Sequence, residues 1–182
     1  MGYLGLASPL AGHFLQPLAR DVHELDADLL VWASPYYVGN LSRHDATSIM
    51  DAAFYADFWG QIFEWAPDFG LIAPQDSQGA QGNSFENVTD YVDAMYAASQ
   101  KHARPFWSNV ELFETWPRSC QWPAACGRHP APFERVKAQL ANEAPRADAL
   151  IAWEWESCLS PLHSNDTAAL YGQYKDYVLG RR

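Results

Sequence analysis

The residues best suited to chemistry in this chain are three glutamates at the ends of short apolar runs. Glu111 lies in PFWSNVELFE, at positions 105–114, and Glu154 and Glu156 lie in AWEWESCLSP, at positions 152–161. Glycoside hydrolysis uses two carboxyl groups, about 5–5.5 Å apart for retention of configuration or about 6.5–9.5 Å apart for inversion. The sequence predicts Glu111 as nucleophile or base and Glu154 or Glu156 as acid, and it leaves both spacings open.

Strand alternation indicates which face each of these side chains occupies. It places Trp107, Asn109 and Glu111 together on one face of the first segment, where the Asn109 amide can bond a sugar hydroxyl. In the later segment the two glutamates share a face opposite the tryptophans at 153 and 155. The alternatives are that Glu111 caps a turn or pairs with an arginine, and that the other two belong to an ion-pair network.

Other polar and aromatic residues follow neighbouring apolar runs and are predicted to bind substrate. Gln75 and Asp76 begin a Gly-rich loop whose amide and carboxylate suit sugar hydroxyls, although an ordinary turn would use the same residues. Tyr36, Tyr37 and Trp116 can stack on a pyranose ring. The alternative for the tyrosines is a hydrophobic lid, and for the tryptophan it is packing.

The amino-acid composition limits the classes of ligand that the chain is expected to bind. The formal net charge of −10 disfavours nucleic acid and leaves neutral carbohydrate as the expected ligand. The six histidines show no paired metal-ligand spacing, and no phosphate-binding glycine motif occurs, so no metal or cofactor is expected.

No apolar run approaches the roughly 20 residues of a membrane span, and no signal peptide is recognisable at the start. Cys120 and Cys126 are free thiols or, in a secreted protein, a disulfide.

The elements that must position these residues alternate between two kinds. Short apolar runs predict strands at 3–7, 29–34, 70–75, 105–111 and 149–156, and periodic segments predict helices at 14–25, about 42–65, 84–102, 133–142 and 167–179. Strands joined by single helices are parallel, so the predicted fold class is α/β. Polar residues at the carboxyl ends of several strands favour a barrel over an open sheet.

A complete barrel of this type needs eight strands in about 250 residues. The 182-residue chain offers about five parallel strands, which predicts a single domain corresponding to the C-terminal portion of a TIM-type (β/α)8 barrel. Because exposed sheet edges are avoided in natural proteins, self-association of two copies is one way to cover the open edge.

Four strings, VWASPYYVGN, LIAPQDSQGAQG, FWSNVELFE and IAWEWESCLSP, together resemble the family called domain of unknown function 4434. The resemblance implies a glycoside-hydrolase-like TIM barrel, strands five to eight, with a pocket at the C-terminal face. It suggests a secreted or periplasmic location if an upstream segment is missing. This chain has Ala7 where related barrels carry an acid, and Glu156-Ser157-Cys158 where the family reads Asn-His-Tyr. The expected function is hydrolysis of a neutral oligo- or polysaccharide; the alternative is a non-catalytic carbohydrate-binding fragment.

Overall fold

The structure is a computed structural model that describes residues 11–37, 51–116 and 127–181. A short π-helical turn, Ala11–Leu15, precedes the first α-helix. The helices are α1 Gln16–Leu25, α2 Ala52–Trp65, α3 Phe85–Lys101, α4 Phe133–Glu143, α5 Trp155–Cys158 and α6 Asn165–Val178. The strands are β1 Trp32–Ala33, β2 Leu71–Ile72, β3 Trp107–Glu111, β4 Phe113–Trp116, β5 Gly127–Pro130 and β6 Ala149–Trp153. The described residues therefore form a mixed α/β fold with short strands.

Four of these strands run parallel and lie side by side in the order β1, β2, β3, β6. β1 pairs with β2, and β3 pairs with β6 along its full length, with Glu111 opposite Trp153. Single parallel bridges join the two pairs, Ile72 to Phe106 and Gln75 to Asn109. A helix separates each strand from the next in this order: α2, α3 and α4 in turn. The predicted parallel strand-helix alternation is confirmed over this part of the chain.

Helices begin where side chains can satisfy the free backbone N–H groups of a first turn. Asp51 accepts from the N–H of Phe54 at 2.8 Å and starts α2, and Ser84 accepts from Asn87 and starts α3. Ser164 and Thr167 form a reciprocal capping box that starts α6 two residues before the predicted position. These caps fix helix boundaries that hydrophobic periodicity alone locates only within a few residues.

One face of the sheet is packed against the helices in two apolar clusters. The first cluster joins Ile72 of β2 and Phe106, just before β3, to Phe63, Val92 and other residues of α2 and α3. The second joins Val110 to Val136 and Leu140 of α4 and Leu170 of α6. Full burial of a side chain of this size stabilises the fold by roughly 1.5–3 kcal/mol. Because these strand residues alternate with Asn109 and Glu111, the polar side chains face away from the helices.

Two features of the structure differ from the sequence-based expectation, and one predicted strand falls outside the described residues. The strand expected at 149–156 ends at Trp153, because the chain turns into α5 at Trp155. An antiparallel hairpin, β4–β5, directly follows β3 and was not predicted. Its second strand, GRHP, consists of residues with weak strand propensity, so its conformation comes from pairing rather than from its sequence. The strand expected at 3–7 lies outside the described residues.

Candidate active site

The carboxyl ends of the parallel strands meet in a row of polar side chains. Bridges place Tyr36 beside Gln75 and Gln75 beside Asn109. The Asn109 Nδ2 donates to Ser34 Oγ at 3.0 Å, and the Gln75 Nε2 donates to the Ser34 carbonyl at 3.0 Å. Both amide donors are therefore used within the protein. The Asn109 Oδ1 is buried and accepts no hydrogen bond from any residue the structure describes.

Glu111 is fully buried at the end of β3, beneath the loop of residues 77–82. Its Oε2 accepts from the N–H of Ala80 at 2.7 Å, whereas Oε1 has no hydrogen-bond donor among the described residues. The loop packs so closely that a Cβ added at Gly79 would lie 2.1 Å from the Phe113 carbonyl oxygen. Burial, and then the neighbouring Asp76 carboxylate, raises the pKa of Glu111 to about 8. Glu111 is therefore protonated at neutral pH.

A second buried carboxyl, Asp76, lies behind Glu111 on the helix-facing side. Its Oδ1 accepts from the backbone N–H groups of Gln78 at 3.1 Å and Glu111 at 3.4 Å, and its Oδ2 accepts from the Gln139 amide. Burial raises the pKa of Asp76 to about 6, against the lowering effect of these hydrogen bonds. Both carboxyl oxygens of Asp76 therefore accept hydrogen bonds from protein groups, and no solvent reaches the side chain.

Glu154 follows directly after β6 and has a contrasting environment. Arg128 Nη1 donates to its Oε2 at 2.8 Å, and the Ser157 hydroxyl donates to its Oε1 at 2.6 Å. About a quarter of the side chain is exposed. Partial burial works to raise the pKa of Glu154, but the bonds from Ser157 and Arg128 outweigh it and lower the pKa below its ordinary value. Glu154 is therefore an oriented, ionised carboxylate that solvent can reach.

Exposed aromatic rings flank Glu154 on both sides. Trp153 is 45% exposed and Trp155 is 53% exposed, and Trp155 meets Tyr171 edge-on at 5.7 Å. Tyr36, which follows β1 at the other end of the row of described parallel strands, is 47% exposed. Exposed rings beside polar groups are the surface that binds the apolar face of a sugar.

The remaining predicted residues occupy different places. Tyr37 is fully buried and stacks on Tyr91 at 4.9 Å, so the prediction that it stacks on a sugar is corrected to a core role. Tyr37 directly follows Tyr36 in the chain, and strand alternation turns the two rings to opposite faces. Glu156 is exposed in the first turn of α5 rather than on a strand. Trp116 belongs to β4, but its side chain lies outside the described part of the structure.

Sequence reasoning missed the polar residues of α4 that face the strand ends. Arg135, Gln139 and Glu143 lie four residues apart and therefore share one face of the helix. Gln139 and Glu143 are fully buried although they are polar. The sequence did contain a signal for them, because these polar residues lie beside Val136 and Leu140 on the apolar side of the helix. Polar residues on a buried helix face need buried hydrogen-bond partners.

Metal and membrane features can be assessed only for the described ranges. Within residues 11–37, 51–116 and 127–181, no group of three or more histidine, cysteine, aspartate or glutamate side chains is arranged to hold a metal ion. Over the same ranges, no helix has both the length and the apolar character needed to cross a bilayer. Cys158 is a buried free thiol, and the pair at 120 and 126 lies outside the described ranges.

Comparison with known proteins decides the family. The model of the domain of unknown function DUF4434 matches residues 7–165, which is most of the chain. The chain belongs to the DUF4434 family. This confirms the resemblance seen in the sequence strings, and the matched range contains all three candidate glutamates.

This DUF4434 domain also resembles a solved structure from Bacteroides thetaiotaomicron, a protein provisionally assigned as an α-L-fucosidase. The TM-score is 0.75 at 18% identity, over 92% of this chain and 49% of the other. The DUF4434 domain therefore spans about half the length of that protein. At this identity the likeness shows a shared fold and does not identify a reaction. No curated protein matches the sequence.

Proposed function

We propose that this DUF4434 domain is a glycoside hydrolase that cleaves a neutral oligo- or polysaccharide where β3 and β6 end. The observation that carries the proposal is the contrast between Glu111 and Glu154. Glu111 ends β3 and Glu154 directly follows β6, its paired strand, with Glu111 opposite the residue before Glu154. Their environments move their pKa values in opposite directions, to about 8 for Glu111 and below the ordinary value for Glu154. Two carboxyl groups separated in this way can act as acid and base in one reaction.

The proposed roles follow from the protonation states. Glu111, protonated at neutral pH, donates its proton to the glycosidic oxygen as that bond breaks. Glu154, ionised and oriented by Arg128 and Ser157, attacks the anomeric carbon or activates a water molecule. The sequence predicted the opposite roles, with Glu111 as nucleophile or base and Glu154 as acid. That prediction could not take account of the burial of Glu111 or of its proximity to Asp76.

Substrate access to Glu111 requires movement of the loop at 77–82. The Glu111 Oε1 is enclosed, and the loop N–H of Ala80 binds the other oxygen. We propose that sugar binding displaces this loop and exposes Oε1. The acid then meets the leaving group only when substrate is present.

Neutral sugar rings suit the surface around Glu154. Trp153 and Trp155 offer exposed rings on either side of the Glu154 carboxylate in the chain. The net charge of −10 disfavours polyanionic glycans.

Removing one platform ring should weaken sugar binding. We expect Trp153→Ala to raise the Kd for an oligosaccharide about tenfold, because a stacked ring contributes roughly 1–1.5 kcal/mol. Isothermal titration calorimetry measures the change. The matched control is Trp65→Ala, which removes another exposed tryptophan at the end of α2. Equal Kd values for the two variants would exclude Trp153 as a platform.

The proposed activity is tested with the 182-residue protein on a panel of aryl glycosides and neutral polysaccharides. The expected result is release of reducing sugar or aryl alcohol from at least one member of the panel. Wild-type protein that binds a glycan by calorimetry yet releases no product from it would contradict hydrolysis.

That second outcome corresponds to the other candidate function, a non-catalytic carbohydrate-binding domain. It is favoured by one observation, the complete burial of Glu111, which leaves Glu154 and Glu156 as the carboxylates that solvent reaches near the tryptophans. Tight binding without turnover, weakened by Trp153→Ala and unaffected by Glu111→Gln, would support it.

We further propose that the four parallel strands form part of a (β/α)8 barrel and that a second copy covers the open edge of this sheet. Trp32 lies on β1, which is outermost on one side of the four described parallel strands, and is 51% exposed. Light scattering should give about twice the monomer mass of 20.4 kDa. Trp32→Glu should return the mass to that of a monomer, and Trp65→Glu should not. A monomer at all concentrations would rule out this contact.

A further inference from the structure

Two buried carboxyl groups behind Glu111 take no part in the proposed bond cleavage. Asp76 follows β2, and Glu143 is the last residue of α4; both are fully buried. Ser108, on the helix-facing side of β3, donates its hydroxyl proton to Glu143 Oε2. The Gln139 amide, one turn earlier on α4, donates to Asp76 Oδ2. The two carboxyl groups thus join three elements of the fold.

A hydrogen bond to Asp76 is among the causes that raise the pKa of Glu143, and the buried Glu143 Oε1 accepts no hydrogen bond from any described residue. An ionised carboxylate has no donor, so a bond between two carboxyl groups requires a proton on one of them. Glu143 lies at the carboxyl end of a helix, where the helix dipole disfavours a negative charge. Burial, followed by the charge of Asp76, raises the pKa of Glu143 well above its ordinary value. Near neutral pH the pair therefore carries one proton and one negative charge.

The same network holds the backbone of Glu111. The Asp76 Oδ1 accepts from the Glu111 N–H at 3.4 Å. The Glu111 carbonyl accepts from Gln139 Nε2 at 3.3 Å and from Arg135 Nη2 at 3.2 Å. The residue proposed as the acid is thus held from the helix side through both of its backbone polar groups.

We propose that Asp76 and Glu143 form a shared-proton pair that acts as a positioning unit for Glu111, fixing its backbone and keeping its carboxyl in the acid form. The role assigned to Glu111 rests on the proposed function. Asp76 acts here through Glu111 rather than by binding sugar hydroxyls, the role expected from the sequence.

Other charged and titratable groups face this unit and set the balance of charge. Arg135 of α4 opposes the carboxyl groups, and Glu114 of β4 lies 3.6 Å from its guanidinium and offsets part of its charge. The buried Tyr37 ring approaches from the end of β1, and the pKa of Tyr37 is raised by burial first and by Glu143 and Asp76 among its neighbours. Tyr37 remains neutral in this environment, so Asp76 is the main negative charge acting on Glu111.

The test follows the Glu111 carboxyl by 13C NMR across a pH titration, with its resonance assigned by Glu111→Gln. In Asp76→Asn the pair loses its negative charge, so the Glu111 titration midpoint should fall by about one pH unit. In Glu143→Gln the new amide donates to Asp76, which stays ionised, so the midpoint should remain within half a unit of wild type. The control, Asp93→Asn, alters an exposed partner of Arg146 and should change nothing.

Equal shifts in Asp76→Asn and Glu143→Gln, or no shift in either folded variant, would overturn the positioning role. If Asp76→Asn does not fold, the wild-type spectrum decides, because one carboxyl of the pair must stay protonated at pH 7; two ionised carboxylates would contradict the proposal. This titration needs no substrate. Absence of glycoside cleavage would therefore overturn the proposed function without affecting the outcome here.

Discussion

Replacing Glu154 by glutamine should lower kcat/KM for an aryl glycoside by roughly 10³-fold, because the amide can neither attack nor accept a proton. Glutamine keeps the size of the side chain, and its amide oxygen can still accept from Arg128 while its NH2 group donates to the Ser157 hydroxyl oxygen. The lost ion pair is partly exposed and contributes only about 0–1 kcal/mol to folding. Steady-state kinetics and a thermal melt on the same preparation separate loss of chemistry from loss of structure.

The matched control is Glu156→Gln, which alters a glutamate two residues away that is exposed in the first turn of α5. Its kcat/KM should stay within about twofold of wild type, well below the effect of losing a catalytic group. If both variants lose activity equally, or if Glu154→Gln keeps it, then Glu154 is not the ionised partner in the reaction.

The second large effect concerns pH. Because Glu111 must be protonated to act as the acid, kcat/KM should fall as pH rises through about 8, the pKa of Glu111. Glu111→Gln should remove this alkaline limb together with most activity toward substrates with poor leaving groups. A panel of aryl glycosides of graded leaving-group pKa, measured from pH 5 to 9, tests both statements. An alkaline limb that survives in Glu111→Gln would assign it to another group.

The same carboxyl should control stability. Its pKa in the folded protein lies above the ordinary value of 4.5, so the folded state binds this proton more tightly than the unfolded state does. Its contribution to the free energy of unfolding is therefore full below about pH 4.5 and is lost as pH rises through about 8, a decrease on the order of a few kcal/mol. Urea unfolding at pH 5, 7 and 9 should show this decrease in wild type and a flatter dependence in Glu111→Gln. The exposed Glu64→Gln serves as control.

Much of the fold could be predicted because apolar and polar residues alternate clearly along the strands. Along residues 106–111 the apolar Phe106 and Val110 alternate with Asn109 and Glu111, and only one face of such an extended segment can meet the helices. The order of strands and helices followed from the same alternation. The hairpin could not be predicted, since GRHP carries no strand signal and gains its conformation by pairing with β4.

The candidate site was predicted only in part because it depends on contacts between distant segments. Tyr36 and Tyr37 have the same chemistry, and their different fates come from the face each one occupies. The burial of Glu111 depends on a loop about 30 positions earlier in the chain. Glu143 received no attention because it ends a helix far from any strand end in sequence, although a buried glutamate four residues after a buried glutamine is unusual.

The most direct test of the account is a crystal structure of Glu154→Gln with the aryl glycoside that wild-type protein cleaves fastest. In that structure we expect the sugar ring packed on Trp153, the loop at 77–82 displaced, and the Glu111 carboxyl within hydrogen-bond distance of the glycosidic oxygen. A sugar bound at this surface with Glu111 still enclosed beneath Ala80 would contradict it. The protein would then bind carbohydrate without cleaving it.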